Sequence, residues 1–134
     1  MSAVGMTEAL VEDAALSTLQ EIGYTVAFGP DLAPGGVAAE RDRYDDVLLL
    51  GRLRAALARL NLTISPDGIE DAVRKVRALD APELLAANRR FHDYLVNGVG
   101  VEVLRADGTI AGETVWLVDF ARPQQNEWLA VNQY

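Results

Sequence analysis

Carboxylates are the residues of this chain that could do chemistry. Magnesium-dependent nucleases hold their metal with clustered oxygen ligands, and twenty Asp and Glu residues are available. Glu8 and Glu12 stand four apart, so they share one face of any helix that contains them. Asp119 interrupts the apolar run Val115–Phe120, where an acid must be paired or functional. Plainer duties compete for each. Glu8 and Glu12 suit the dipole of a helix N-terminus, and Asp119 suits a strand end bonded to backbone or Arg. Lys75 is the single lysine and falls in a helical pattern, so no acid-x-Lys strand follows Asp119. These residues alone do not make a complete nuclease.

Other chemistries lack parts. His92 is the single histidine and there is no cysteine, so neither a zinc site nor a disulfide framework can be assembled. His92 fits a packed or hydrogen-bonded helix position. Ser2, Ser17 and Ser65 have no elbow motif around them. Gly35-Gly36 is not followed by Lys-Ser/Thr, so no phosphate loop is present.

The net charge of −8 argues against a general nucleic-acid binder. Its distribution is uneven. Residues 1–40 carry six acids and no base, residues 41–90 carry ten bases and eight acids, and residues 91–134 carry two bases and six acids. Eleven of the twelve bases are Arg. The less acidic middle, with Arg52, Arg54 and Arg59, could touch phosphate, or its arginines could pair on solvated helix faces.

The elements that would position these residues read as α+β. Thr7 caps a first helix that ends at Gly23, with Val11, Ala15, Leu19 and Ile22 on one face. Tyr24–Phe28 reads as a short strand. Gly29-Pro30-Asp31 and Ala33-Pro34-Gly35-Gly36 mark a long loop. Three helices follow. One runs from about Asp45 to Leu60 on Val47, Leu50, Leu53, Leu57 and Leu60. The next starts at Ser65-Pro66 with Ile69, Ala72, Val73 and Val76 inward. The third runs from near Pro82 to Asn97 with Leu84, Asn88, Phe91 and Leu95 in a stripe. Val99–Val103 alternates as a strand, and Asp107-Gly108 is a hairpin turn. Val115–Phe120 should be a central strand covered on both sides. Asn126–Tyr134 is either a strand or a helical turn. The sheet is expected to be still growing at Tyr134, with an exposed edge. At 134 residues one domain is expected. With no long apolar run and no leader pattern, the expected location is cytoplasmic.

A family resemblance is carried by many short pieces in order. They are Glu12, Leu16, Leu19, Gly23-Tyr24, Gly29-Pro30-Asp31, Tyr44-Asp45-Asp46-Val47, Leu53-Arg54, Ala56-Leu57 and Leu60-Asn61. Then come Asn88-Arg89-Arg90-Phe91-His92, Leu95, Gly98-Val99, Val101-Glu102-Val103, Val118-Asp119-Phe120, Pro123, Asn126 and Leu129–Gln133. Together, from Thr7 to Tyr134, they resemble the N-terminal domain of type I restriction enzyme R subunits. The resemblance implies the leading part of a PD-(D/E)xK magnesium nuclease joined to an ATP-driven DNA translocase. It implies DNA, methyltransferase and specificity subunits as partners, with Mg2+ and ATP as cofactors of the parent subunit. The family's essential Asp and Glu-x-Lys follow the Val-Asn-Gln segment, so they are expected beyond Tyr134, and this chain alone is expected to be inactive. Glu12 matches a family acid near the nuclease site and is carried over as a metal-site helper. Asp119 matches a Val/Ile-Asp-Phe pattern with no assigned role. Residues 44–98 are expected to form a helical accessory module that contacts DNA or protein through Arg52, Arg54 and Arg59. The alternative function is a stand-alone protein- or DNA-interaction module without enzymatic activity.

Overall fold

The computed structural model describes residues 5–79 and 83–134. Pro82, placed at a helix start above, and Ser2 lie outside the described residues. The architecture is α+β, and the chain divides into two compact units.

The first unit comprises Met1–Val47 and Glu127–Tyr134. Helix α1 (Glu8–Glu21) starts where the Thr7 hydroxyl accepts a hydrogen bond from the Leu10 N–H, and Gly23 follows its end at φ 108°. Strand β1 (Thr25–Phe28) pairs in parallel with β4 (Leu129–Asn132), Thr25 opposite Leu129 and Phe28 opposite Asn132. Between Phe28 and Ala33 the chain makes one short helix, α2 (Gly29–Leu32), where a loop was expected. Pro30 at its start pre-sets the helical φ.

The expected inward face of α1 is turned. Val11 and Ile22 are exposed, and the half-buried stripe is Glu12, Leu16 and Leu19. The helix is apolar on more than one side, so periodicity alone did not select the stripe. The expected helix start at Asp45 also moves, to Leu50. The Asp46 carboxylate accepts from the N–H groups of both Asp42 and Arg43 at 3.2 and 3.1 Å. A side chain that bonds its own neighbouring backbone in this way competes with helix formation.

The second unit comprises Leu48–Asn126. It holds α3 (Leu50–Leu60), α4 (Pro66–Arg77), α5 (Leu84–Asn97) and the antiparallel hairpin β2 (Val99–Leu104) and β3 (Ile110–Val115). Ser65 caps α4 by accepting from the Gly68 N–H, with Pro66 at the first helical position. The inward face of α4 is the expected one, with Ile69, Ala72, Val73 and Val76 buried. They form one core with Leu57, Val99, Val101 and Val115. Each buried Val, Leu or Ile of this core contributes about 1.5–3 kcal/mol by leaving water. On α5 the expected stripe is only half right. Phe91 is half-buried against this core, whereas Leu84 and Asn88 are exposed.

The central strand expected at Val115–Phe120 does not form. β3 ends at Val115. Beyond it the Trp116 N–H and C=O are both bonded to the Asn61 side chain, at 2.8 and 2.9 Å. Asn126 takes the backbone N–H and C=O of Asp119, both at 2.9 Å. The groups a strand ladder would use are therefore already satisfied by side chains. Nor is there one growing sheet, because β1–β4 and β2–β3 are separate two-stranded sheets. Among the described residues no helix is long and apolar enough to cross a membrane.

Candidate functional site

Charge separates cleanly along the chain. Residues 48–126 hold ten basic and ten acidic residues, and the remainder holds two and ten, so the whole net charge of −8 falls on the first unit.

In the first unit the acids do not converge. Glu12 sits half-buried in the inward stripe of α1, and Glu8 is exposed in the first turn. Among the described residues no three Asp, Glu or His side chains form a group that could hold a metal ion.

What is tightly built in this unit is the end of β4. A Cβ on the buried Gly29 would run into the carbonyl oxygens of Asn132 and Gln133. The Gly29 N–H reaches the Asn132 Oδ1 at 3.4 Å, and Gln133 takes a left-handed φ of 49°. The Tyr134 ring then stacks 4.0 Å from the buried Arg41 guanidinium. Its hydroxyl donates to the Asp46 and Val47 carbonyls, both at 3.1 Å. Arg41 also donates to the Tyr44 carbonyl at 3.0 Å. A buried guanidinium is thus held by an aromatic face and carbonyl dipoles. The sequence reading missed this cluster, because Arg41 and Tyr134 lie far apart along the chain.

In the second unit the arginines singled out from sequence do not share one face. On a helix of 3.6 residues per turn, Arg52 and Arg59 align and Arg54 points away from both. The Arg59 Nε donates to the Gln125 carbonyl at 3.1 Å. Arg54 instead forms a two-point pair with Glu70 of α4, at 2.8 and 3.3 Å. There it lines a cavity of about 470 Å3 with Glu70, Val73, Arg74, Arg77 and Ala78. Arg74 is bonded to Asp71, and Lys75 lies 3.4 Å from the same carboxylate. The Arg74 hydrogen bond, followed by Lys75, holds the Asp71 carboxyl below the ordinary aspartate range. Lys75 also donates to the Gly100 carbonyl at 2.7 Å. Arg74 and Arg77 were not picked out from sequence. Their spacing of three on one helix face was the available signal.

Asp119 is a turn residue. Its carboxylate accepts from the Arg122 N–H at 2.9 Å and pairs with the Arg122 side chain at 3.4 Å. It lines a cavity of about 320 Å3 walled mainly by Leu60, Trp116, Val118 and Phe120. His92 is exposed on α5. At the hairpin turn Asp107 accepts from the Thr109 hydroxyl and N–H, in that order of effect, which lowers its pKa.

The chain matches the protein family described as "Type I restriction enzyme R protein N terminus" over residues 5–134. It is 30% identical over 125 residues to the "Putative type I restriction enzyme MjaIXP endonuclease subunit" of Methanocaldococcus jannaschii, covering 93% of this chain and 12% of that protein. It is also 30% identical over 123 residues to the "Type I restriction enzyme HindI endonuclease subunit" of Haemophilus influenzae, covering 92% of this chain and 12% of that protein. The chain thus spans about an eighth of the length of these curated relatives. No solved structure matches.

Proposed function

The chain belongs to the family of type I restriction enzyme R protein N termini, and from that premise we propose that it is the N-terminal part of the DNA-cleaving, ATP-dependent R subunit of a type I restriction–modification system. The observation that carries this reading is the match along residues 5–134. The parent subunit then cleaves DNA with Mg2+, moves on it with ATP, and assembles with methyltransferase and specificity subunits in the cytoplasm. The fold is read as the leading part of a PD-(D/E)xK nuclease. The first unit supplies its first helix and the β1–β4 pair, with Glu12 as a helper of a metal site whose other ligands lie elsewhere in the subunit. Arg52, Arg54 and Arg59 of the second unit contact DNA.

Two measurements test the reading. The reading frame that encodes the chain should continue past Tyr134 into an acid, a Glu-x-Lys pair and helicase motifs. A stop codon directly after Tyr134 would refute it. Incubated with supercoiled DNA and Mg2+, the 134-residue chain should leave the plasmid intact. Nicking that depends on Mg2+ and disappears with Glu12→Gln would place the whole catalytic apparatus within these residues, against the proposal.

A further inference from the structure

We propose that the cleft between α3 and α4, walled by Arg54, Arg74 and Arg77, is a seat for the sugar–phosphate backbone of double-stranded DNA. The inference rests on the reading of the chain as part of a DNA-acting subunit, and it adds Arg74 and Arg77, which sequence did not single out.

Three arginines line one concave space of about 470 Å3, and among the described residues Glu70 is the single acid that lines it. A guanidinium offers a planar fork of donors that matches a phosphate two bonds at a time. Two of the three are already oriented. Glu70 holds Arg54 at two points, and Asp71 holds Arg74. Side chains ordered in advance lose less entropy when a ligand arrives. Arg77 is exposed at the end of α4, and among the described residues no acid pairs with it.

Basic residues in a last helical turn also answer the partial negative charge of the terminal carbonyls. That duty accounts for Arg74 and Arg77 on α4. It does not account for Arg54, which comes from a different helix to the same cleft. The second unit as a whole is electrically neutral, while the first carries all eight net negative charges. A polyanion approaching the chain is therefore repelled from the first unit and meets a basic concavity on the second. Phosphate contacts of this kind position a duplex without reading its sequence.

The test uses the 134-residue chain, a fluorescent 30-base-pair duplex of arbitrary sequence, and anisotropy at several salt concentrations. The variant is Arg74→Gln with Arg77→Gln. Both positions are exposed, so helical circular dichroism should be retained. Binding at low salt should fall on the order of 10-fold, and the slope of log K against log salt should drop by about 2, one phosphate left unneutralised for each arginine removed. Arg89→Gln with Arg90→Gln, the same charge change on α5, should leave the slope as it was. Equal loss from both double variants would reduce the effect to net charge and overturn the cleft. So would wild-type chain that ignores the duplex but binds poly-glutamate. Either result leaves the R-subunit reading to the reading-frame test above.

Discussion

At the scale of single residues, Asn61 does more than its position in the sequence suggested. It is buried, and its side chain donates to the Leu57 and Trp116 carbonyls and accepts from the Trp116 N–H. One amide thus ends α3 and stops β3 from continuing. Asn61→Ala leaves a half-enclosed N–H and a C=O without partners, each of which carries a desolvation penalty. The expected loss is about 2–4 kcal/mol, read as a lower urea midpoint with an unchanged m-value. A loss under about half a kcal/mol would mean that water replaces the amide. The candidate site was legible only in part at this scale. Arg54 was visible because arginines on a predicted helix invite the question, but its neighbours in the cleft come from α4, and composition does not say which two helix faces meet. Asp119 was visible as a misplaced acid. Its bonding to backbone and Arg, both supplied by Arg122, was one of the duties expected. That it caps a turn instead of a strand end needed the strand around it to be absent, and hydropathy argued for that strand.

At the scale of elements, the end of the β1–β4 ladder is set by backbone approach. Gly29 is buried at the step from β1 into α2, and its Cα faces the carbonyls of Asn132 and Gln133. Gly29→Ala puts a methyl group where those oxygens are. It should cost about 1–3 kcal/mol by overpacking, with broadened amide signals in β4. Gly51 makes the opposite case. It lies in α3 with open space around it, so Gly51→Ala should raise stability by about 0.5–1 kcal/mol through helix propensity. Thermal melts of the two variants check both signs together, and a Gly29→Ala protein as stable as the parent would refute the close approach. The elements that were legible are those with strong local signals: Thr7 and Ser65 as caps, Gly23 as a stop, Asp107-Gly108 as the hairpin turn, and the apolar face of α4. What was not legible depended on distant partners. The pairing of β1 with β4 joins segments about a hundred residues apart, and the late start of α3 follows from Asp46 bonding to its own loop.

At the scale of the whole molecule, the two units differ in how they are held. The buried core of Leu57, Ile69, Ala72, Val73, Val76, Val99, Val101 and Val115 lies entirely in the second unit. Helix α1, by contrast, has no buried residue, and its inward stripe is only half-covered. Local opening costs little where few apolar contacts are broken. Amide hydrogens in the middle of α1 should therefore exchange on the order of 10-fold or more faster than those of α4 and β2 under native conditions. The α1 rate should be nearly insensitive to low denaturant, because a small opening exposes little surface. The α4 and β2 amides should slow together in any variant that stabilises the core, such as Gly51→Ala, and α1 should not follow. Hydrogen-exchange mass spectrometry on the 134-residue chain reads all three. Matched protection in α1 and α4 that shifts in parallel with Gly51→Ala would show one cooperative unit, and would mean that α1 draws its stability from the whole chain instead of from its own half-covered stripe.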